Sequence, residues 1–351
     1  QVLREMCGID YNHYITEGQL ATLNLSDARI VDGGDPYYLD EESGTVFYTE
    51  TNTVGSYFFE NCPTLTTLTL PSSISEIEDY AFMGCLLENI SIADSNEAFT
   101  TKDGALYTKN FSDLIVYAVS GALPADKTVS LPEGLKVIRS YACCLMRADK
   151  IVFPSTLTVI EPYAFYNSAT LKEFNIPASL KELSSTAFLT CTNLSKITAD
   201  SLNPYFTVTD NVLFSKDKSK LLMYPAAKTG ASYLIPESVT EIGDCAFFYN
   251  LKLEGVKIGS NVTTLGSSAF AYCKGIKKMT IPESITRFGD FTFQGCSGLS
   301  SVTLPEVMET LGAWTFDGTA LTEFTFPRGI TEIGPGLFFD CAGITEFNIP
   351  E

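Results

Sequence analysis

One short triplet recurs along this chain: two apolar residues flank a variable one, and a proline follows. It reads Leu68-Thr69-Leu70-Pro71, Val129-Ser130-Leu131-Pro132, Ile151-Val152-Phe153-Pro154 and Phe174-Asn175-Ile176-Pro177. It returns as Met279-Thr280-Ile281-Pro282, Val302-Thr303-Leu304-Pro305, Phe324-Thr325-Phe326-Pro327 and Phe347-Asn348-Ile349-Pro350. Val256-Lys257-Ile258-Gly259 places glycine in the proline slot, and most neighbouring copies lie 22 or 23 residues apart. A fixed period of this size marks a chain that grows by stacking units rather than by filling one core.

Counted from the proline slot, more positions repeat. Three residues on lie Ile74, Leu135, Leu157, Leu180, Val239, Val262, Ile285, Met308 and Ile330. Six on lie Ile77, Ile138, Ile160, Leu183, Ile242, Leu265, Phe288, Leu311 and Ile333. A small residue and an aromatic then follow, as Ala81-Phe82, Ala164-Phe165, Ala187-Phe188, Ala246-Phe247 and Ala269-Phe270, with Thr292-Phe293, Thr315-Phe316 and Leu337-Phe338 as variants. The triplet predicts a short strand alternating in and out. Proline ends it, having no N–H for the next rung. The small-aromatic pair is expected on a short helical or 3₁₀ segment, with phenylalanine plugging the core between coils. Glycine often follows the sixth position, yet Glu78, Arg139, Glu161 and Ser184 also occupy that slot, so a left-handed backbone is not obligatory there. The fold expected is an α/β repeat: a right-handed solenoid with a parallel β-sheet on one face and about 23 residues per coil.

The motif resembles the BspA-like leucine-rich-repeat family of bacterial surface proteins. The residues that carry the likeness read I-P-E-S-V-T-E-I-G-D-C-A-F from Ile235 to Phe247 and I-P-E-S-I-T-R-F-G-D-F-T-F from Ile281 to Phe293. The first coil, Leu23 to Ile30, is similar to that of such proteins from Bacteroides-type gut bacteria. The resemblance implies a leucine-rich-repeat solenoid, an exported cell-surface or extracellular location, and an adhesive or binding role. It carries over no catalytic residue.

Residues 1–22 are expected to cap the array, and residues 23–351 to form it. Three segments break the period, near 32–53, 94–128 and 201–232. The last two resemble each other: Phe99, Asp103, Leu106, Leu114 and Tyr117 match Phe206, Asp210, Leu213, Leu221 and Tyr224 at a constant offset of 107. Each predicts two short strands around a polar turn, a β-hairpin on the solenoid edge. The array ends on a strand with no polar cap, and solenoids cap their ends. Fraying, a partner, a second copy or further sequence is the expectation there.

Composition narrows function. The formal charge is −19, from 42 acidic and 23 basic residues. Phosphate backbones call for clustered Lys and Arg, which are absent, so nucleic acid is not an expected partner. No apolar run approaches the roughly 18–20 residues of a membrane helix, so membrane insertion is not expected either. Six of the ten cysteines, Cys62, Cys85, Cys191, Cys273, Cys296 and Cys341, fall fourteen residues after the proline slot. A packed column of small thiols is expected there, since parallel side-chain vectors disfavour a disulfide. Zinc spacing such as C-x-x-C is missing, so no metal and no cofactor are expected. The sole histidine, His13, would have to serve any Ser/His/Asp or Cys/His engine, and it lies outside the repeat. Carboxylates such as Glu237, Glu283, Glu306 and Glu332 scatter over turns, and Asp40-Glu41-Glu42 lacks the alternating ligand spacing of a calcium loop.

The strand's variable position points outward, one coil above the next. The candidate binding residues are therefore Thr69, Ser130, Asn175, Thr198, Lys257, Thr280, Thr303 and Thr325, with Ser91, Val152 and Asn348 in the same slot. This ladder is read as a polar concave face. Sugar clefts offer aromatic platforms that the ladder lacks, so a protein ligand on a host or bacterial surface is favoured, contacted through the concave sheet and the hairpin insertions. A structural spacer and a carbohydrate-binding module are the alternatives.

Overall fold

The computed structural model describes residues 2–10, 14–41, 43–118 and 123–349. His13, Glu42, Pro350 and Glu351 lie outside them. The chain divides into two compact units: Gln1–Leu171 with Ser179–Phe188, and Lys172–Ala178 with Leu189–Glu351. Each is a stack of leucine-rich coils, and the parallel strand pairing expected from the triplet is present in both.

In the first unit the triplet strands Thr22–Asn24, Thr67–Leu70 and Asn89–Ile92 pair in parallel, with Leu23, Leu68 and Ile90 in register. Thr128–Ser130 pairs likewise with Lys150–Val152. In the second unit Glu173–Ile176 pairs with Lys196–Ala199, Ser232–Leu234 with Gly255–Lys257, Lys278–Thr280 with Ser301–Thr303, and Glu323–Thr325 with Glu346–Asn348. Burial alternates along them, as in Asn89–Ile92, where Ile90 and Ile92 are inside and Asn89 and Ser91 outside.

A second, shorter strand covers the fifth and sixth positions after the proline slot. Val137–Ile138, Val159–Ile160 and Glu182–Leu183 pair in parallel in the first unit, and Glu241–Ile242 pairs with Thr264–Leu265 in the second. The triplet pattern alone does not announce this strand, because one inward residue in two leaves no visible alternation.

The small-aromatic segment departs from expectation. It is a run of turns rather than helix or 3₁₀, and among the described residues the only helix is Val2–Met6. Two left-handed residues bracket the segment in most coils. The ninth position holds Tyr80 (φ 64°), Tyr141 (58°), Tyr163 (58°), Cys245 (55°), Ser268 (55°), Phe291 (58°) and Trp314 (54°). The thirteenth holds Leu145 (60°), Asn167 (54°), Thr190 (60°), Tyr249 (59°) and Tyr272 (58°). Side chains rarely sit there, at about 1–2 kcal/mol each. Hydrogen bonding explains why they do. Alternate N–H groups all aim at the next coil: Ser268 N donates to Asp290 O (2.8 Å), Phe270 N to Thr292 O (2.9 Å) and Tyr272 N to Gln294 O (2.7 Å). The same trio recurs from Phe291, Phe293 and Gly295 to Ala313, Thr315 and Asp317. The turns are thus a third ladder between coils.

Inside that ladder the phenylalanines stack. Phe59 lies on Phe82 (5.7 Å, 4°) and Phe165 on Phe188 (4.8 Å, 2°) in the first unit. In the second unit Phe247, Phe270, Phe293, Phe316 and Phe338 form one column at 4.8–5.8 Å, tilted by 13° or less. Phe165, Phe247, Phe270, Phe293 and Phe316 are fully buried. Where threonine replaces alanine, its hydroxyl bonds back locally, Thr292 Oγ1 to Gly289 O and Thr315 Oγ1 to Gly312 O, both 2.7 Å.

The glycine after the sixth position serves close approach. A Cβ on Gly289 would meet Ser267 N at 2.5 Å and Gly266 C at 2.7 Å. In the second unit a neighbouring aspartate accepts the adjacent coil's N–H: Asp244 Oδ1 from Ser267 (2.8 Å) and Asp290 Oδ1 from Ala313 (2.7 Å). In the first unit a glutamate in the glycine slot does this from the other side: Glu78 Oε2 takes Ser56 N (2.7 Å), and Glu161 Oε2 takes Ser140 N (2.8 Å). One backbone donor therefore has two solutions, and the choice dictates whether the slot holds glycine or glutamate.

The insertions are β-structured. Gly33–Asp40 and Thr45–Thr49 form an antiparallel hairpin, whose Tyr38 stacks on Tyr57 (4.4 Å, 10°). The two related insertions each hold three antiparallel strands rather than two: Phe99–Lys102, Ala105–Thr108 and Asp113–Tyr117, and Phe206–Thr209, Val212–Ser215 and Lys220–Met223. In each the last strand joins the solenoid's second ladder in parallel, Leu114 beside Ile138 and Leu221 beside Ile242. Tyr224 then caps the column, stacked on Phe247 at 5.1 Å. Each insertion thus supplies a rung of the second ladder.

Two stability outcomes follow. Phe270→Ala empties a site packed on both faces and is expected to cost about 3–5 kcal/mol in denaturant unfolding. Leu202→Ala, at a side chain 79% exposed, is expected to stay within about 0.5 kcal/mol. Gly289→Ala is expected to cost about 1–3 kcal/mol through overpacking. Gly259→Ala, where a Cβ meets nothing within 4 Å, is expected to be neutral or to stabilise by up to about 1 kcal/mol. Equal effects at the two glycines would remove the close-approach explanation.

Candidate interaction face

The outward strand slot is the surface that the fold leaves in solvent. Ser130, Asn175, Thr198, Lys257, Thr280, Thr303 and Thr325 are exposed, and Thr69 is half-buried. Thr69 stands in register between Asn24 and Ser91, with its Oγ1 3.0 Å from Ser91 Oγ. Ser130 stands beside Val152. Thr198 Oγ1 donates to Asn175 Oδ1 at 2.9 Å. Lys257 pairs with Leu234, Thr280 with Thr303, and Thr325 with Asn348. The structure brings these residues together in short runs. Within the second unit no strand pairing joins Thr198 to Lys257, where an insertion intervenes, Lys257 to Thr280, or Thr303 to Thr325.

Two members of the slot are apolar, Val152 (41% exposed) and Leu234 (63%). Leu234 was legible, since Tyr233-Leu234-Ile235-Pro236 carries the triplet register.

Three further groups of polar residues satisfy hydrogen bonds at the insertions and the strand ends. Asn96 and Asn203 are buried at the roots of the related insertions. Asn96 Nδ2 donates to Ile74 O (2.7 Å) and its Oδ1 accepts Phe99 N–H (2.7 Å). Asn203 Nδ2 donates to Pro177 O and its Oδ1 accepts Phe206 N–H, both 2.8 Å. The signal was present, because this pair also lies 107 residues apart. The polar turns match too: Asn110 Oδ1 accepts from Thr108 and Ser112, and Asp217 Oδ1 from Ser215 and Ser219. Those bonds, Ser215's hydroxyl first, hold the Asp217 carboxyl down at about 2. Glutamates at the strand ends satisfy backbone donors: Glu133 takes Ser155 N–H and Glu283 takes Glu306 N–H.

The cysteine column is packed and hydrogen-bonded, and its cysteines form no disulfide. Four of its thiols donate to a phenylalanine carbonyl one coil back: Cys85 to Phe59 (2.6 Å), Cys273 to Phe247 (3.0 Å), Cys296 to Phe270 (3.1 Å) and Cys341 to Phe316 (2.9 Å). Ser168 and Asn250 do the same to Cys143 O (2.9 Å) and Pro225 O (3.1 Å). The slot thus holds a small donor in most coils, a finer pattern than small size, with Met146 the exception. Desolvation pushes the thiols of Cys85, Cys245 and Cys296 up to about 12. Cys7 shifts the other way, lowered by its hydrogen bond with Cys62. Among the described residues no three His, Cys, Asp or Glu side chains are grouped to hold a metal, and no helix is long and apolar enough to cross a membrane.

The family profile described as BspA type Leucine rich repeat region matches residues 42–117, 125–229 and 227–345, in six copies. The chain belongs to the BspA-type leucine-rich-repeat family. Among solved structures, a leucine-rich repeat protein from Eubacterium ventriosum is 27% identical with a TM-score of 0.61, over 85% of this chain and 70% of that one. A leucine rich cell surface protein from Faecalibacterium prausnitzii is 22% identical with a TM-score of 0.65, over 96% of this chain and 89% of that one. A search of curated protein sequences finds no match. In BspA-type terms, the triplet strand, the second strand and the turn ladder are the three sides of one repeat.

The raised thiol pKa values have a direct readout. At pH 8 the thiolate of Cys85 and Cys296 is scarce in the folded chain, so both should resist iodoacetamide and label fully only in denaturant, followed by peptide mass spectrometry. Rapid labelling of either in the native state would contradict the packed column.

Proposed function

We propose that the chain is a non-catalytic binding or adhesion module of a bacterial cell surface, holding a protein ligand on its outward strand face. The observation that carries this reading is the exposed polar slot, in register from coil to coil: Thr69 with Ser91, Asn175 with Thr198, Thr280 with Thr303. Hydroxyls and amides on a rigid ladder offer directional hydrogen bonds with little ordering cost on binding. The BspA-type family and the cell-surface protein of F. prausnitzii support the location.

A sugar ligand is less well served. The chain does have a tyrosine column, with Tyr57 on Tyr80 (5.5 Å, 8°) and Tyr141 on Tyr163 (5.0 Å, 17°). Those rings stack on one another and spend their faces on the fold. Catalysis would need a nucleophile with a poised base. Cys85, Cys273 and Cys296 of the packed column are instead buried donors with raised pKa values, and His13 is outside the described residues.

The test is capture from host mucosal extract on the purified chain, with a glycan array in parallel. A variant with Asn175, Thr198 and Lys257 all changed to Glu should melt as the parent does and bind the captured protein at least ten-fold more weakly. Undiminished binding would take the ladder out of the account, and glycan binding without protein capture would replace the ligand class.

A further inference from the structure

The triplet ladder of the second unit lacks strand pairing at three joins, and a cavity lies at one of them. Ser301–Thr303 pairs with Lys278–Thr280 on one side, and Glu323–Thr325 pairs with Glu346–Asn348 on the other. Between Ser301–Thr303 and Glu323–Thr325 the sheet has no pairing. The same coils remain joined elsewhere. In the second ladder Thr310 pairs with Glu332 and bridges to Arg287. In the turn ladder Phe293 N donates to Thr315 O (2.9 Å) and Phe316 N to Leu337 O (3.0 Å). On the triplet side the coils meet again just past the strands, where Arg328 N donates to Glu306 O (3.0 Å) and the Arg328 guanidinium lies 2.9 Å from the Glu306 carboxylate, so the opening is confined to the strands themselves.

A cavity of about 530 Å³ fills this gap, lined from both sides by residues that include Ser301, Thr303, Glu323, Thr325 and Arg328. The opening runs along the three residues of each flanking strand. Facing it are two strand edges, and such edges are templates for another strand.

We propose that this opening receives one extended peptide strand of the partner protein, added as an extra rung of the ladder. The inference rests on the protein-binding reading above and names the form in which the ligand engages. The flanking residues say what that strand should carry. Glu323 stands beside Glu346, two like charges in register. At the equivalent slot of an earlier rung Glu173 stands beside Lys196, whose Nζ lies 2.8 Å from Glu173 Oε2. A basic residue in the incoming strand gives Glu323 the same partner. The next residue points inward against the half-buried Val302, the one after outward among the hydroxyls of Thr303 and Thr325, and the fourth inward again. The strand fitted to the slot is thus basic-apolar-hydroxyl-apolar, the chemistry of the chain's own rung Lys278-Met279-Thr280-Ile281.

That rung supplies the probe. A fluorescein-labelled, end-blocked peptide of sequence Lys277 to Glu283 is titrated with the full chain and followed by anisotropy. Saturable one-site binding is expected. Glu323→Lys, at an exposed side chain, should keep the parent's melting profile and weaken binding ten-fold or more. A peptide N-methylated on its Met and Thr backbone nitrogens should not bind. Leu202→Ala, at an exposed side chain outside the lining of the opening, should bind the probe as the parent does. Absence of saturable binding, binding indifferent to N-methylation, or binding indifferent to Glu323→Lys would each overturn the slot. Capture of the mucosal protein is read separately, so failure of the slot and failure of the wider reading give different results.

Discussion

A phenylalanine at the centre of a 23-residue coil cannot be hidden by that coil alone. It needs a ring above and a ring below, and the second unit answers with one column from Phe247 to Phe338. Each buried ring removes a large apolar surface from water, and offset stacking adds about 0.5–1.5 kcal/mol per pair. The stack in turn demands a backbone thin enough to bring rings within 6 Å. Alanine or threonine beside each ring, and glycines such as Gly289 behind it, provide that thinness.

The turn ladder is the other half of the same constraint. Left-handed residues such as Leu145, Tyr272 and Trp314 are unfavourable in isolation. They persist because each aligns an N–H with a carbonyl of the next coil, and because the thiol column bonds the phenylalanine carbonyls from inside. Local backbone strain is offset by contacts that exist only when neighbours are present. This is the physical content of a repeat protein: its energy lies in the interfaces.

What could be read from residues alone follows from which of these features leave a side-chain signature. The triplet, the phenylalanine column and the offset between the two insertions were legible because particular side chains recur. The turn ladder was not, because its bracketing positions accept Tyr, Leu, Asn, Thr, Cys and Trp alike; backbone geometry is selected there. Thiol donation to the phenylalanine carbonyls was legible only as small size, until Ser168 and Asn250 showed a common donor. The outward residues of the face followed from strand alternation. The opening between Ser301–Thr303 and Glu323–Thr325 did not, since both copies obey the motif and only the spacing of coils separates them.

Under the proposed function, binding and stability divide between faces. The turn and second-strand sides hold coils together, leaving the triplet side to carry exposed, variable chemistry without endangering the stack. The most direct test of this architecture is residue-resolved amide hydrogen exchange at Phe247, Phe270 and Phe293, whose N–H groups donate to the coil above. The stacked-coil account predicts exchange only through unfolding on the scale of the whole unit, as slow as any amide in the sheet. Exchange of these three at the rate of solvent-exposed turn amides would contradict it.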